Sequence, residues 1–259
     1  MMGIYQHFRK EEHPFIDQVL SWKEDVERTY RYKLTDFLDP REQQIVEAIV
    51  GTNDVDLKLA SYGGHEHTER KRMIIAPFYE EITDEMFQIS VMEASYPTKF
   101  VSIQHRDVMG AFLSLGITRD KLGDIFVPDG KFQIIVCEEI APYVKINLTE
   151  VKNAHVSLKK ISATDLHIKE PQWLSSEQIV SSLRLDAVVK EIYGLSRKQA
   201  ANYIEKKLVK VNFKVVDRVD YQLFAGDLIS LRGKGRSKLV DVNGQTRKNK
   251  LRITTAILQ

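Results

Sequence analysis

Cysteine is nearly missing from this chain. Cys137 is the one among 259 residues, so no disulfide can close within it. That usage fits a reducing compartment. Long apolar runs are missing too. The opening stretch MMGIYQHFRKEEHPF holds no apolar signal-type segment, and no run approaches the roughly 20 residues a membrane helix needs. The expected setting is cytoplasmic, away from membranes. Nucleotide signatures are absent as well. GKGRSK lacks the gap and the final Lys-Ser/Thr of a P-loop, and no G-x-G-x-x-G follows a strand. Metal-ligand spacing is equally poor. HEH at His65–His67 offers two ligands where a site needs three or four, and His105, His155, His167 and Cys137 lie far off. HEH reads as a surface loop, and neither a metal nor a cofactor is expected. Cys137 follows QIIV and reads as a buried strand residue, not a nucleophile.

What is present is an uneven distribution of charge. The net charge is only +2, yet residues 180–259 carry 17 Lys+Arg against 7 Asp+Glu, while residues 1–179 carry 21 against 29. A basic final third on an acidic body points to a polyanionic partner for that third. The 43% hydrophobic content suffices for packed cores, and the length suits two domains or three small ones.

Residues 1–71 read as a helical region. PFIDQVLSWKEDVERTY spaces Phe15, Val19, Trp22 and Val26 about four apart, and DPREQQIVEAIV opens with an Asp39 cap, a proline and Glu42 three residues on. SYGGHEHTERKR reads as a turn and charged link. From residue 72 the pattern changes. KRMIIAPF and FQISVMEASY are strand-like, HRDVMGAFLSLG is a helix stopped at Gly116, GDIFVPDGKFQIIVC is two strands about a turn, EEIAPYVKINLTEV is a helix and VSLKKIS a last strand. From FQISVMEA onward the order is β-α-β-β-α-β, which predicts a ferredoxin-like middle domain over 72–170, an arrangement RNA-recognition domains also use. His105 opens the first helix of that domain and either caps it or joins Arg106 on RNA. EPQWLSSE at 170–177 reads as a boundary, leaving 181–259 as a small C-terminal α+β domain.

That last domain carries the candidate site. Leu185, Val188, Val189 and Ile192 form one helix face closed by Gly194. Ser196 and Gln199 make a capping box for a second helix, whose Ala200, Ala201, Ile204 and Leu208 face inward. At about 100° per residue, Lys198, Asn202 and Lys206 share its outward stripe. VKVNFKVV adds Lys210 and Lys214 on a strand. DLISLRGKGRSKLVDV sets Arg232, Lys234, Arg236 and Lys238 along a strand end and a Gly-punctuated loop, and TRKNKLR adds Arg247, Lys248, Lys250 and Arg252. Cations that neutralise phosphates release condensed counterions, and a helix N-terminus beside Arg197 adds free N–H donors.

RLD at Arg184–Asp186, SR at Ser196–Arg197, Ala200, VKVN at Val209–Asn212 and GDLISLRG at Gly226–Gly233 resemble the RNA-binding domain of ribosomal protein S-four. Lys207 and Phe213 stand where many members of that family have glycine. Across essentially its whole length, and through HRDVMGAFLSLGITRDKLGDIFV and SLRGKGRSK in particular, the chain resembles the YlmH family, encoded among cell-division genes of Gram-positive bacteria. The resemblance implies an α+β protein with a helical N-terminal region, a ferredoxin-like middle domain and a C-terminal RNA-binding module. It implies a non-enzymatic role in translation: binding rRNA and tRNA on large ribosomal subunits that hold unreleased peptidyl-tRNA. Carried over by position, Arg184, Arg197, Lys198, Asn202, Lys206, Lys210 and Lys214 fall on the RNA backbone, with Arg232, Lys234 and Arg236 along the same face. Asp186 reads as structural, near a helix start and within reach of Arg184. Rival readings are an RNA-modifying enzyme targeted by this module and a cell-division interaction protein with no RNA affinity. The first needs a separate catalytic domain, whereas the one RLD lies inside the module.

Overall fold

The computed structural model describes residues 5, 8–51, 56–168, 172–246 and 249–259. The chain divides into two units, residues 1–168 and 169–259. No described helix is long and apolar enough to cross a membrane.

The first unit opens with α1 (His13–Thr29), β1 (Lys33–Leu34), α2 (Pro40–Val50), β2 (Leu57–Tyr62) and β3 (Arg72–Pro77). The capping box expected at α2 is present: the Asp39 carboxylate accepts from the Arg41 and Glu42 amides, and the Glu42 carboxylate accepts from the Asp39 amide. The helices do not stand alone. They pack through Ile16, Val19, Val26, Ile45 and Val46 onto Leu57, Met73 and Ile75 of an antiparallel sheet ordered β1-β3-β2. Two sequence expectations change here. Part of the stretch read as a link, Ser61–Tyr62, ends β2, whose polar Lys58 and Ser61 blur its alternation. The strand at 72–77, grouped by sequence with the middle domain, pairs with β1 and β2 instead. Its Arg72 is buried and donates to the carbonyls of Thr35, Phe87 and Gln88 at 2.7–3.0 Å, tying this sheet to the segment that leads into the middle domain.

Next come β4 (Ile89–Ser95), α3 (His105–Ser114), β5 (Leu122–Phe126), β6 (Lys131–Cys137), α4 (Ala141–Asn147), a hairpin of β7 (Glu150–Val151) and β8 (Ala154–His155), and β9 (Lys159–Ile161). The antiparallel sheet runs β5-β6-β4-β9, the ferredoxin-like order. The helix expected to reach Val151 stops at Asn147. Val151 is fully buried and reaches the core from β7. On one sheet face Met92, Phe132, Ile134 and Val136 pack under Val108 and Phe112 of α3 and Val144 of α4. Burying each such side chain stabilises by roughly 1.5–3 kcal/mol over leaving it exposed.

The other face of this sheet is closed. Phe37 packs on Val91, Ile135 and Cys137 with Leu166 beside them. Phe37 lies so near Gly123 that a Cβ there would meet its Cε1 at 2.9 Å. Further along, Glu93 and Gln133 are buried side by side. The Gln133 amide donates to the Glu93 carboxylate at 3.0 Å and to the Asp165 carbonyl at 2.9 Å. Burial alone would push the Glu93 carboxyl up. The Gln133 bond, with Lys159 and Lys131 each 3.2 Å away, outweighs it and holds the carboxyl below its ordinary range. Cys137 is buried as expected, and desolvation pushes its thiol up to about 12, so it stays protonated at neutral pH.

The second unit contains β10 (Trp173–Val180), α5 (Leu185–Ile192), α6 (Arg197–Glu205), β11 (Val209–Val211), β12 (Lys214–Val215), β13 (Leu228–Leu231), β14 (Gly235–Gln245) and β15 (Leu251–Leu258). Among the described residues these form a six-stranded antiparallel sheet ordered β10-β15-β14-β13-β11-β12. WLSSE, read as a boundary, is strand: Trp173–Val180 pairs with Leu251–Leu258 over its full length. Glu170 and Pro171 lie outside the described residues. One sheet face, through Val209, Val211, Ile229, Leu231 and Leu239, is covered by Leu185, Val188, Val189 and Ile192 of α5 and Ala200 and Ile204 of α6. Ala201 and Leu208, expected inside, are only half-buried.

Candidate nucleic-acid interface

The starts of α5 and α6 meet at one carboxylate. Asp186, in the first turn of α5, is buried. Its Oδ1 accepts from Arg184 Nε at 3.0 Å, and its Oδ2 accepts from Arg184 Nη2 at 3.3 Å and from Arg197 Nε at 3.1 Å. Burial pushes the Asp186 carboxyl up, but the two guanidinium groups overcome that and hold it below its ordinary range. The pairing with Arg184 agrees with the sequence reading. The second pairing, to Arg197 eleven residues on, had no local signal. Both arginines keep an exposed part, Arg197 at 68% of its side chain and Arg184 at 35%. Asp186 therefore fixes their direction and leaves N–H groups facing water.

Ser196 caps α6, accepting from the Gln199 amide while Gln199 returns a bond to the Ser196 amide. That box sets the helix phase. Ala200 and Ile204 go inward, and Lys198, Asn202 and Lys206 stand exposed on the far side.

Beyond α6 the predicted cations part company. In β11, Val209 and Val211 are buried and Lys210 points to the opposite face. Lys210 lies opposite Ser230 in β13, which lies opposite Arg236 in β14, so Lys210 and Arg236 share the sheet face away from the helices. Lys214 sits opposite Val211, on the helix side of the edge. Arg232 and Lys234 are exposed at the tip of the β13–β14 hairpin, which the Arg232 amide ties to the Leu208 carbonyl just past α6. The Tyr193 hydroxyl at the end of α5 bonds Ser237 Oγ at 3.0 Å and steadies the same hairpin. Arg184, Arg197, Lys198, Asn202 and Lys206 thus belong to the helix side, with Arg232 and Lys234 at the joined end. Lys210 and Arg236 belong to the sheet side. The expectation of one shared face is corrected to two, because strand alternation sends successive residues to opposite sides. Arg247 and Lys248 lie outside the described residues.

The two turns where glycine was expected keep their shape without it. Lys207 has φ 58°, and Asn212 and Phe213 have φ 48° and 68°. Positive φ at both central residues makes the two-residue β11–β12 connection a type I′ turn. Asn212 anchors it, donating to Asp227 Oδ1 and accepting from the Leu228 amide. Asp227 in turn accepts from the Phe224 amide. The VKVN and GDL segments are therefore structural partners. Two aromatic contacts were not foreseen: Lys238 Nζ lies 4.3 Å from the Trp173 ring centroid, and the Arg236 guanidinium 5.9 Å from that of Phe213.

In the first unit, the His65 and His67 rings lie 5.4 Å apart in a loop, tilted by 50°, with the His67 amide bonded to the His65 ring. Asp36, Cys137 and Glu139 bring possible ligand atoms together, but Lys121 stands between the two carboxylates at 2.7 and 3.0 Å. That group is an ion-pair cluster, joined by Arg72 at 3.8 Å from each.

A two-helix, cation-lined module whose helix starts are clamped together by Asp186, Arg184 and Arg197 defines a class, proteins that carry an S4-type RNA-binding domain. A family profile described as "S4 domain" matches residues 183–229. Two more match the rest: "YlmH, N-terminal" over residues 11–80 and "Putative RNA-binding domain in YlmH" over 83–165. The chain is 44% identical over 254 residues to "Ribosome-associated protein quality control protein P2" of Bacillus subtilis (strain 168), covering 98% of each. It is similar to the solved structure "Cell division protein ylmH from Streptococcus pneumoniae" at 30% identity and TM-score 0.54, covering 63% of this chain and 98% of that one. The chain belongs to the YlmH family.

Proposed function

We propose that this protein is a non-enzymatic, cytoplasmic RNA-binding protein of translation quality control. In this reading it binds rRNA and tRNA on large ribosomal subunits that carry unreleased peptidyl-tRNA. One observation carries it: Asp186 holds Arg184 and Arg197 in fixed directions at the mouth of a module of S4 type. Arg184, Arg197, Lys198, Asn202 and Lys206 take phosphates on the helix side, with Arg232 and Lys234 extending that track. Lys210, Lys214 and Arg236 complete the set of RNA-facing residues. The name borne by the Bacillus subtilis relative supports the ribosomal setting. The acidic first unit disfavours indiscriminate coating of RNA, since like charges repel.

The test is salt titration of binding to ribosomal RNA fragments. The logarithm of affinity should fall against the logarithm of salt with a slope of about −0.7 to −0.9 per phosphate neutralised. Arg197→Ala with Lys198→Ala should shallow that slope by roughly 1.4 to 1.8 and release the protein from large subunits. A flat salt response would sink the reading. Incubation with tRNA and rRNA fragments followed by analysis of the bases checks the absence of catalysis: a newly modified base would overturn it.

A further inference from the structure

The face of the six-stranded sheet away from α5 and α6 carries the makings of a second RNA surface. Lys210, Ser230 and Arg236 stand in a row across β11, β13 and β14, and Lys238 follows Arg236 two residues on, on the same face. Each of the two β14 cations lies over a ring brought from another strand or turn. Lys238 meets Trp173 from β10, and Arg236 meets Phe213 from the β11–β12 turn. Across β15, Lys238 faces Ala256, whose small side chain leaves room for the indole. Trp173, Phe213, Arg236 and Lys238 are all half-buried, so part of each reaches solvent. Two carboxylates stand on the same face, Glu177 of β10 four residues along from Trp173 and Asp241 of β14, each opposite Thr254 of β15.

Phe213 is the telling residue. It sits at φ 68°, in the left-handed region where a side chain costs energy and glycine does not. A bulky residue at such a strained position is a pointer to use.

We propose, building on the RNA-binding reading above, that this face is a stacking platform for unpaired bases of RNA. Aromatic rings and guanidinium planes both accept a base by stacking, whatever its identity. In the free protein the Lys238 ammonium covers the Trp173 ring. On binding, the base takes the ring and the ammonium moves to the adjoining phosphate, exchanging a modest cation–π contact for stacking plus an ion pair. Bases within a duplex are already stacked and are not available to this face. The helix side, which meets phosphates alone, has no such preference. The module would then hold a structured RNA where a paired stem adjoins an unpaired segment.

The experiment uses the full chain with two probes, an unpaired RNA of about 12 nucleotides and a duplex of the same length. Trp173→Ala and Phe213→Gly should each weaken the unpaired probe about tenfold and leave the duplex within about twofold. Trp173→Phe should restore most of the loss. Phe213→Gly should not lower the thermal midpoint, because glycine suits the turn. In a Trp22→Phe background Trp173 is the remaining indole, and the unpaired probe should change its fluorescence. Suppose instead that both variants bind the unpaired probe like the parent with silent fluorescence, while Arg197→Ala with Lys198→Ala still weakens both probes. The platform is then wrong and the helix-side reading survives. If the helix-side variant also binds both probes like the parent, the RNA-binding reading falls with it.

Discussion

The two large sheets of this protein are both antiparallel and both carry helices on one face, yet they treat the other face in opposite ways. In the β5-β6-β4-β9 sheet that face is sealed by Phe37 and by the Glu93–Gln133 pair, and its central strands present no aromatic residue there. In the six-stranded sheet the face away from α5 and α6 is covered by no described helix of its own unit and is set with Lys210, Arg236, Lys238 and two rings. A fold shared with RNA-recognition domains therefore does not by itself put rings and cations on a sheet face. The side chains that reach the face, from edge strands and turns as well as central strands, decide it.

The sharpest way to break this comparison is to unseal the first sheet. Phe37→Ala should cost about 3–5 kcal/mol, read as a lower urea midpoint of the first unit, and should add no RNA affinity because Val91, Ile135 and Cys137 beneath it offer no ring. Removing the clamp of the second unit comes next. Asp186→Ala should destabilise it by about 2 kcal/mol in denaturant melts, since two charged hydrogen-bonding partners lose their acceptor. A smaller effect, about 1–2 kcal/mol in the first unit, is expected for Gly123→Ala, which crowds Phe37 and the Ile135 Cβ at 3.1 Å. The smallest is a pH effect. Folding lowers the Asp186 pKa from its ordinary 3.8, so the clamp's contribution is complete above that value and fades as pH falls through the folded one. Melts of the parent and Asp186→Asn from pH 7 to pH 3 should differ by a constant amount until about pH 4 and converge below it.

Much of this was legible in the sequence, for local reasons. The capping boxes at Asp39–Glu42 and Ser196–Gln199 need only a spacing of three, and the α5 stripe needs only helical period. The β-α-β-β-α-β order follows from one change of period after another. What escaped depends on pairings made at long range. Phe37 has no neighbour in sequence that reveals it as the lid over Ile135, and β2 and β10 are too polar on their exposed sides to alternate cleanly. The partition of cations between two faces rests on register: Lys210 and Lys214 look equivalent in VKVNFKVV, yet the two-residue turn between them sends one to each side. Trp173 reads as part of a linker because its partner strand lies some eighty residues away.

The shared carboxylate of Asp186 makes two arginines from different helices into one mechanical part. Shorten either of them and the other is left with the whole carboxylate to itself, so the angle between the helix starts and the aim of the surviving guanidinium both shift. A lineage could not retune its grip on RNA at Arg184 without disturbing Arg197, and drift at this corner should come in concerted steps rather than singly.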